Sequence, residues 1–133
     1  MIQSIPQYSG KTSSNSTGLD WKEFSPEIVD QLRSEGKHVF LDFTAAWCLT
    51  CKVNEKVALD TEEVIAKFDE LNVAAVKADW TNRDDLITKA LAKYGRNSVP
   101  LYVLYNADKS VEPKILPEIL TPGIVIEALE NLN

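Results

Sequence analysis

Phe43-Thr44-Ala45-Ala46-Trp47-Cys48-Leu49-Thr50-Cys51-Lys52 is the stretch on which the fold turns. Upstream, Val39-Phe40-Leu41-Asp42-Phe43 is an almost wholly apolar run. A strand of that kind is buried on both faces and belongs inside an α/β sheet. Downstream, residues 48–59 have the pattern of a helix, with Val53, Val57 and Ala58 expected to face inward. The chain's two cysteines therefore stand three apart, where a buried strand runs into a helix start.

That context favours redox chemistry. A helix N-terminus has unpaired N–H groups and the positive end of the backbone dipole, and both stabilise a thiolate. Cys48 at that end should have a lowered pKa and be the attacking thiol. Cys51, one turn further in, should be the less exposed, resolving thiol. Attack on a partner disulfide by Cys48, then on Cys48 by Cys51, passes two electrons with no cofactor. A zinc site needs two more ligands, and His38, the only histidine, lies at the far end of the strand. A c-type haem needs CxxCH, but Lys52 fills the histidine position. No metal is expected.

Elements alternate on either side. Ser25-Pro26-Glu27 reads as a cap with proline at the first helical position, Ile28, Val29 and Leu32 follow as a stripe, and Gly36 stops the helix. A helix opens near Thr61 and runs through Phe68, and Val73–Ala78 is the next strand. Asn82 or Thr81 is the expected cap of a helix Asp84–Tyr94 with Leu86, Ile87, Ala90 and Leu91 on one face. Leu101–Tyr105 is a strand, Val111–Ile115 a short edge strand weakened by Pro113, and Thr121-Pro122-Gly123 starts the last helix. The order α-β-α-β-α-β-(β)-α predicts an α/β fold: a central mixed sheet, two strands at its heart, helices on both faces.

Residues 1–18 are rich in Ser, Thr, Asn, Gln and Gly and read as a flexible tether before one domain over 19–133. Gly10-Lys11-Thr12-Ser13-Ser14 lacks the upstream glycine of a phosphate loop. Met1 to Ser9 has neither the basic start nor the long apolar core of a signal peptide, and no run approaches a membrane span. With 14 basic against 20 acidic residues among 133, the net charge of −6 disfavours a nucleic-acid partner.

Four further positions bear on the cysteines. Asp42 is an acid inside an apolar strand, a costly placement unless it is paired or protonated. Behind the CxxC it could take and return the Cys51 proton; the bland alternative is a wet sheet edge. Glu55, one turn after Cys51, either tunes these groups or pairs with Lys52 or Lys56 at the surface. Trp47 is expected to cap the surface of the site. Lys77 either pairs with Asp42 or is a solvated edge lysine, and Tyr102 and Tyr105 read as packing.

Trp47-Cys48-Leu49-Thr50-Cys51, with Asp42 and Pro100, resembles the thioredoxin superfamily. More narrowly, Val39 to Glu55 (VFLDFTAAWCLTCKVNE) resembles the C-terminal thioredoxin-like domain of the DsbD thiol:disulfide interchange proteins. The resemblance implies a thioredoxin-like fold with Cys48, Cys51, Asp42, Glu55 and Pro100 as site residues. It also implies a cis Val99–Pro100 bond, with Val99, Trp47 and Leu49 meeting the partner chain. It implies a domain on the periplasmic face of the inner membrane. There it takes electrons from a transmembrane donor and passes them to a thioredoxin-like or immunoglobulin-like periplasmic acceptor, for envelope protein reduction or cytochrome c maturation. Leu49-Thr50 replaces the usual Gly-Pro, and no glycine stands near Glu118 to admit substrate backbone. The competing readings are a stand-alone, cytoplasmic thioredoxin-like reductase and a non-redox binding domain, against which the intact CxxC argues.

Overall fold

Strand β2, His38–Thr44, is the centre of the sheet, and every residue after His38 is buried. The computed structural model describes residues 18–132, so the expected tether, but for Gly18, lies outside the described residues, as does Asn133. The other strands are β1 (Trp21–Glu23), β3 (Val73–Asp79), β4 (Leu101–Tyr105) and β5 (Lys114–Ile115). The sheet order is β1-β3-β2-β4-β5. β3 runs parallel to both β1 and β2, whereas β4 is antiparallel to β2 and to β5. The sheet is thus mixed, with three interior strands rather than the expected two.

Alternation along β2 divides its side chains between two cores. Val39, Leu41 and Phe43 join Leu32 of α1 (Ile28–Ser34) and Ile87 and Leu91 of α4 (Asp85–Ala92). Phe40 instead joins Ala58, Leu59, Val64, Phe68, Val125 and Leu129. These come from α2 (Leu49–Asn54) with its continuation Glu55–Leu59, from α3 (Glu62–Glu70) and from α5 (Pro122–Glu130). Phe40 meets Phe68 edge-on at 5.4 Å and stacks on Tyr102 at 5.9 Å. Side chains as large as these contribute about 3–5 kcal/mol each to a core of this kind.

Several local expectations are corrected. β1 was not expected; three residues with a polar outer edge show no alternation long enough to read. Ser25 does not cap α1 through its side chain: the N-cap is Glu27, without a side-chain bond, and the Ser25 carbonyl accepts from Ile28 N–H. Asp84, not Asn82 or Thr81, caps α4, its carboxylate accepting from Ile87 N–H at 3.3 Å. Leu86 points outward, and the edge strand is only Lys114–Ile115. Gly36 and Gly95 follow α1 and α4 at positive φ of 87° and 71°, where a side chain would be strained.

The segment after the cysteines holds the largest correction. α2 widens at Glu55 into a π-helical turn, with Asp60 N–H donating to the Glu55 carbonyl at 2.7 Å. The buried positions are Cys51, Asn54, Ala58 and Leu59, while Val53 and Val57 point to solvent. A polar residue, Asn54, takes the inward place that an apolar count assigns to its neighbour. The extra residue in the turn then rotates Ala58 and Leu59 together into the core.

Candidate active site

Cys48 and Cys51 form a disulfide with their Cα atoms 5.3 Å apart. Cys48 is the N-cap of α2: its backbone is extended and its Sγ accepts from Cys51 N–H at 3.2 Å. Cys48 is 7% exposed and Cys51 is 0% exposed, so of the two only Cys48 has any surface open to solvent. Ala45 packs with the two cysteines, and Val99 closes over them from the loop before β4. The Val99–Pro100 peptide is cis. The structure therefore brings Val99 to the disulfide across about fifty residues of chain.

The surface around Cys48 is organised by the loop after β3. Ala46 N–H donates to Thr81 Oγ1 at 2.8 Å, and the Trp47 indole donates to the Thr81 carbonyl at 3.0 Å. Trp47 lies 5.9 Å from Trp80, and the Arg83 guanidinium sits over both rings, 4.4 Å from Trp47. Trp47 remains 44% exposed, as expected of a residue that covers the site rather than the core. Leu49, between the cysteines, is 76% exposed.

Beneath the helix lies Asp42. It is wholly buried, and neither carboxyl oxygen has a hydrogen-bond partner among the described residues. The wet-edge alternative is therefore excluded. Burial, then the charge of Glu55, push its pKa up to about 8, against a smaller opposing pull from Lys77. Burial disfavours the charged form, so Asp42 is held mostly protonated at pH 7.

Glu55 is half-buried and accepts from Thr44 Oγ1 at 3.4 Å, one β2 position beyond Phe43. It makes no ion pair with Lys52 or Lys56 among the described residues. Lys77, in register with Asp42, makes no salt bridge with it and lies 4.7 Å from the Trp21 ring centre. Tyr102 flanks Asp42 on the other side. Its phenol accepts from Asn54 Nδ2 at 2.8 Å, and its pKa is raised, chiefly by burial and then by Asp42.

Asn54 was missed in the sequence. Its amide also donates to the Glu118 carbonyl at 2.7 Å, and its Oδ1 accepts from Leu120 N–H at 3.1 Å. It ties α2 to β4 and to the segment where a substrate-admitting glycine is absent. Glu118's own side chain meets Arg96 at 3.4 Å. The only signal for Asn54 was a polar residue three after Cys51, indistinguishable in a sequence from a surface asparagine. Among the described residues, no group of three His, Cys, Asp or Glu side chains is placed to hold a metal ion.

A thioredoxin-like family model matches residues 20–107, which include both cysteines and Pro100. The chain belongs to the thioredoxin-like family. The thiol:disulfide interchange protein DsbD of Campylobacter jejuni is 22% identical over 97 residues, 73% of this chain but 17% of that protein. The chain thus spans about a sixth of the length of that relative. The C-terminal domain of Neisseria meningitidis DsbD in its reduced form superposes with a TM-score of 0.66 at 20% identity, covering 84% of this chain and 100% of that one. A thioredoxin from Thermus thermophilus superposes with a TM-score of 0.69 at 15% identity, covering 86% and 87%. At these identities the superpositions show the fold alone, and they do not favour the DsbD domain over a thioredoxin. A disulfide-forming CxxC at a helix start of this thioredoxin-like domain is the apparatus of a protein-disulfide reductase.

Proposed function

We propose that this thioredoxin-like domain is a general protein-disulfide reductase, complete in its own redox chemistry. The observation that carries the reading is the pairing of a reachable Cys48 with a wholly buried Cys51 above a neutral, unpartnered Asp42. In the reduced protein the Cys48 thiolate attacks one sulfur of a partner disulfide. The partner S–S bond breaks, a Cys48–partner S–S bond forms, and one partner sulfur leaves as thiolate. The ionised fraction of Asp42 takes the Cys51 proton, and the Cys51 thiolate attacks Cys48 Sγ. The internal disulfide closes and the second partner thiolate departs. Two electrons have passed to the partner. A donor dithiol reverses the sequence: attack on Cys48 expels the Cys51 thiolate, and the proton on Asp42 goes to it. Val99, Trp47 and Leu49 would meet the partner chain.

A second reading has the matches to DsbD in its favour. The same exchange would then run between a transmembrane donor and a thioredoxin-like or immunoglobulin-like acceptor at the periplasmic face of the inner membrane. Among the described residues no helix is long and apolar enough to cross a membrane. Residues 1–18 would be the link to the membrane part.

Reduction of insulin by the prereduced protein tests the chemistry. Wild type should precipitate the B chain, Cys48→Ser should be inactive, and Cys51→Ser should accumulate a mixed disulfide through Cys48. Failure of wild type to reduce insulin, or a mixed disulfide through Cys51 in Cys48→Ser, would remove the assignment. Limiting iodoacetamide on the reduced protein should label Cys48 first.

A further inference from the structure

Leu49, Val53 and Val57 follow one another at four-residue spacing, so they line up on one side of the active-site helix. They are 76%, 50% and 50% exposed, an apolar ridge in water that begins between the two cysteines. Lys52 and Lys56 lie beside it, both exposed. Neither makes an ion pair among the described residues. At the Cys48 end the Arg83 guanidinium rests on aromatic rings rather than on a carboxylate.

The acids nearby are engaged elsewhere. Glu55 turns to Thr44, Asp79 accepts from Thr81, Asp84 caps α4 and Glu118 meets Arg96. A chain of net charge −6 thus presents an apolar strip bordered by three cations, none of which makes an ion pair among the described residues. Apolar centres with charged rims are the anatomy of protein interfaces, and charge complementarity sets which partner docks.

We propose that the Leu49–Val53–Val57 ridge, with Lys52, Lys56 and Arg83, is a docking surface for protein partners whose disulfide is flanked by apolar and acidic residues. The inference rests on the reductase reading and names its substrate class. The ridge is continuous with Cys48, so a partner lying along it holds its disulfide against the attacking sulfur. The cations steer acidic partners to that orientation and slow basic ones.

Three synthetic cyclic disulfide peptides test this, sharing one apolar core and flanked by aspartates, by lysines or by neither. The prereduced wild type should reduce the acidic peptide about three- to tenfold faster than the basic one at low salt. The ratio should fall toward one as salt rises. Lys52→Glu with Lys56→Glu should reverse the order, and Val53→Ser with Val57→Ser should slow acidic and basic peptides alike by at least about threefold. Ratios between peptides cancel any change in Cys48 reactivity. Should the double charge reversal fail to fold, Lys52→Gln with Lys56→Gln should still erase the preference. Equal rates for acidic and basic peptides, with the neutral one reduced, would overturn the docking surface and leave the reductase reading intact. Reduction of none of the three would overturn the reductase reading. A concentration-dependent dimer in sedimentation that Val53→Ser with Val57→Ser abolishes would assign the ridge to a second copy of the chain and overturn the proposal.

Discussion

The two faces of the sheet are built to different rules. Under α1 and α4, every buried side chain that β2 contributes is apolar: Val39, Leu41 and Phe43. Under α2, α3 and α5, the same strand presents Phe40, then Asp42, then Thr44, and the helix above answers with Asn54 and Glu55. The first face maximises burial. The second keeps Phe40 in the core but gives up an apolar side chain at the next inward position and buries there a carboxyl that water would otherwise hold ionised. The difference shows that a strand buried on both sides can still divide its duties. One set of alternate residues is wholly apolar, and the other shares its core with a buried acid whose protonation burial sets.

Substitutions that exchange the character of the two faces test that division. Phe43→Ala on the apolar face should have the largest effect, a loss of about 3–5 kcal/mol in urea unfolding, with Cys48 alkylation little changed. A loss below about 1 kcal/mol would mean that this face does not bear the stability.

Asn54→Ala on the other face removes three hydrogen bonds that tie α2 to Tyr102, Glu118 and Leu120. It should cost about 2–3 kcal/mol, because the groups left behind are buried or half-buried. It should also speed amide exchange at Leu120. Exchange at Leu120 that stays as slow as in wild type would show the tie to be unnecessary.

Asp42→Asn should instead stabilise the protein, and only at higher pH. The folded pKa of about 8 lies above the ordinary 3.8, so between those values the folded state keeps a proton that the unfolded chain has lost. The associated stability is complete below pH 3.8 and falls as pH rises through about 8. Wild type should weaken as pH rises from above 3.8 to about 8. Asp42→Asn should be flatter and stronger at the upper end by about 2 kcal/mol. Identical pH profiles would contradict a buried, unpartnered carboxyl. The smallest effect belongs to Glu55→Gln. Removing that charge should lower the Asp42 midpoint in a carboxyl carbon NMR titration while burial keeps it above the ordinary range. A midpoint that rises would reverse the assigned electrostatics.

Long signals in the chain were readable. β4 has the expected bounds, Leu101–Tyr105, because five consecutive strand formers between a proline and a turn leave little choice. The helix stops at Gly36 and Gly95 follow from the backbone freedom of glycine. Short or phase-dependent features were not readable. β1 is too brief for a period; Val53 meets solvent because its polar neighbour Asn54 takes the inward place, and Val57 because the π-helical turn Glu55–Leu59 changes the rotation per residue.

What the amino-acid order determined by itself was the chemistry and its setting: a buried strand, two cysteines three apart, a helix start, and an acid inside the strand. These are local facts, governed by side-chain type and backbone geometry over a dozen residues. Only the tertiary structure decided that Asp42 is unpartnered, that Val99 closes over the sulfurs, that Asn54 is an anchor and that Val53 and Val57 meet water. Each depends on which distant segment arrives at a given face, and burial and electrostatics are properties of that arrival rather than of the residue.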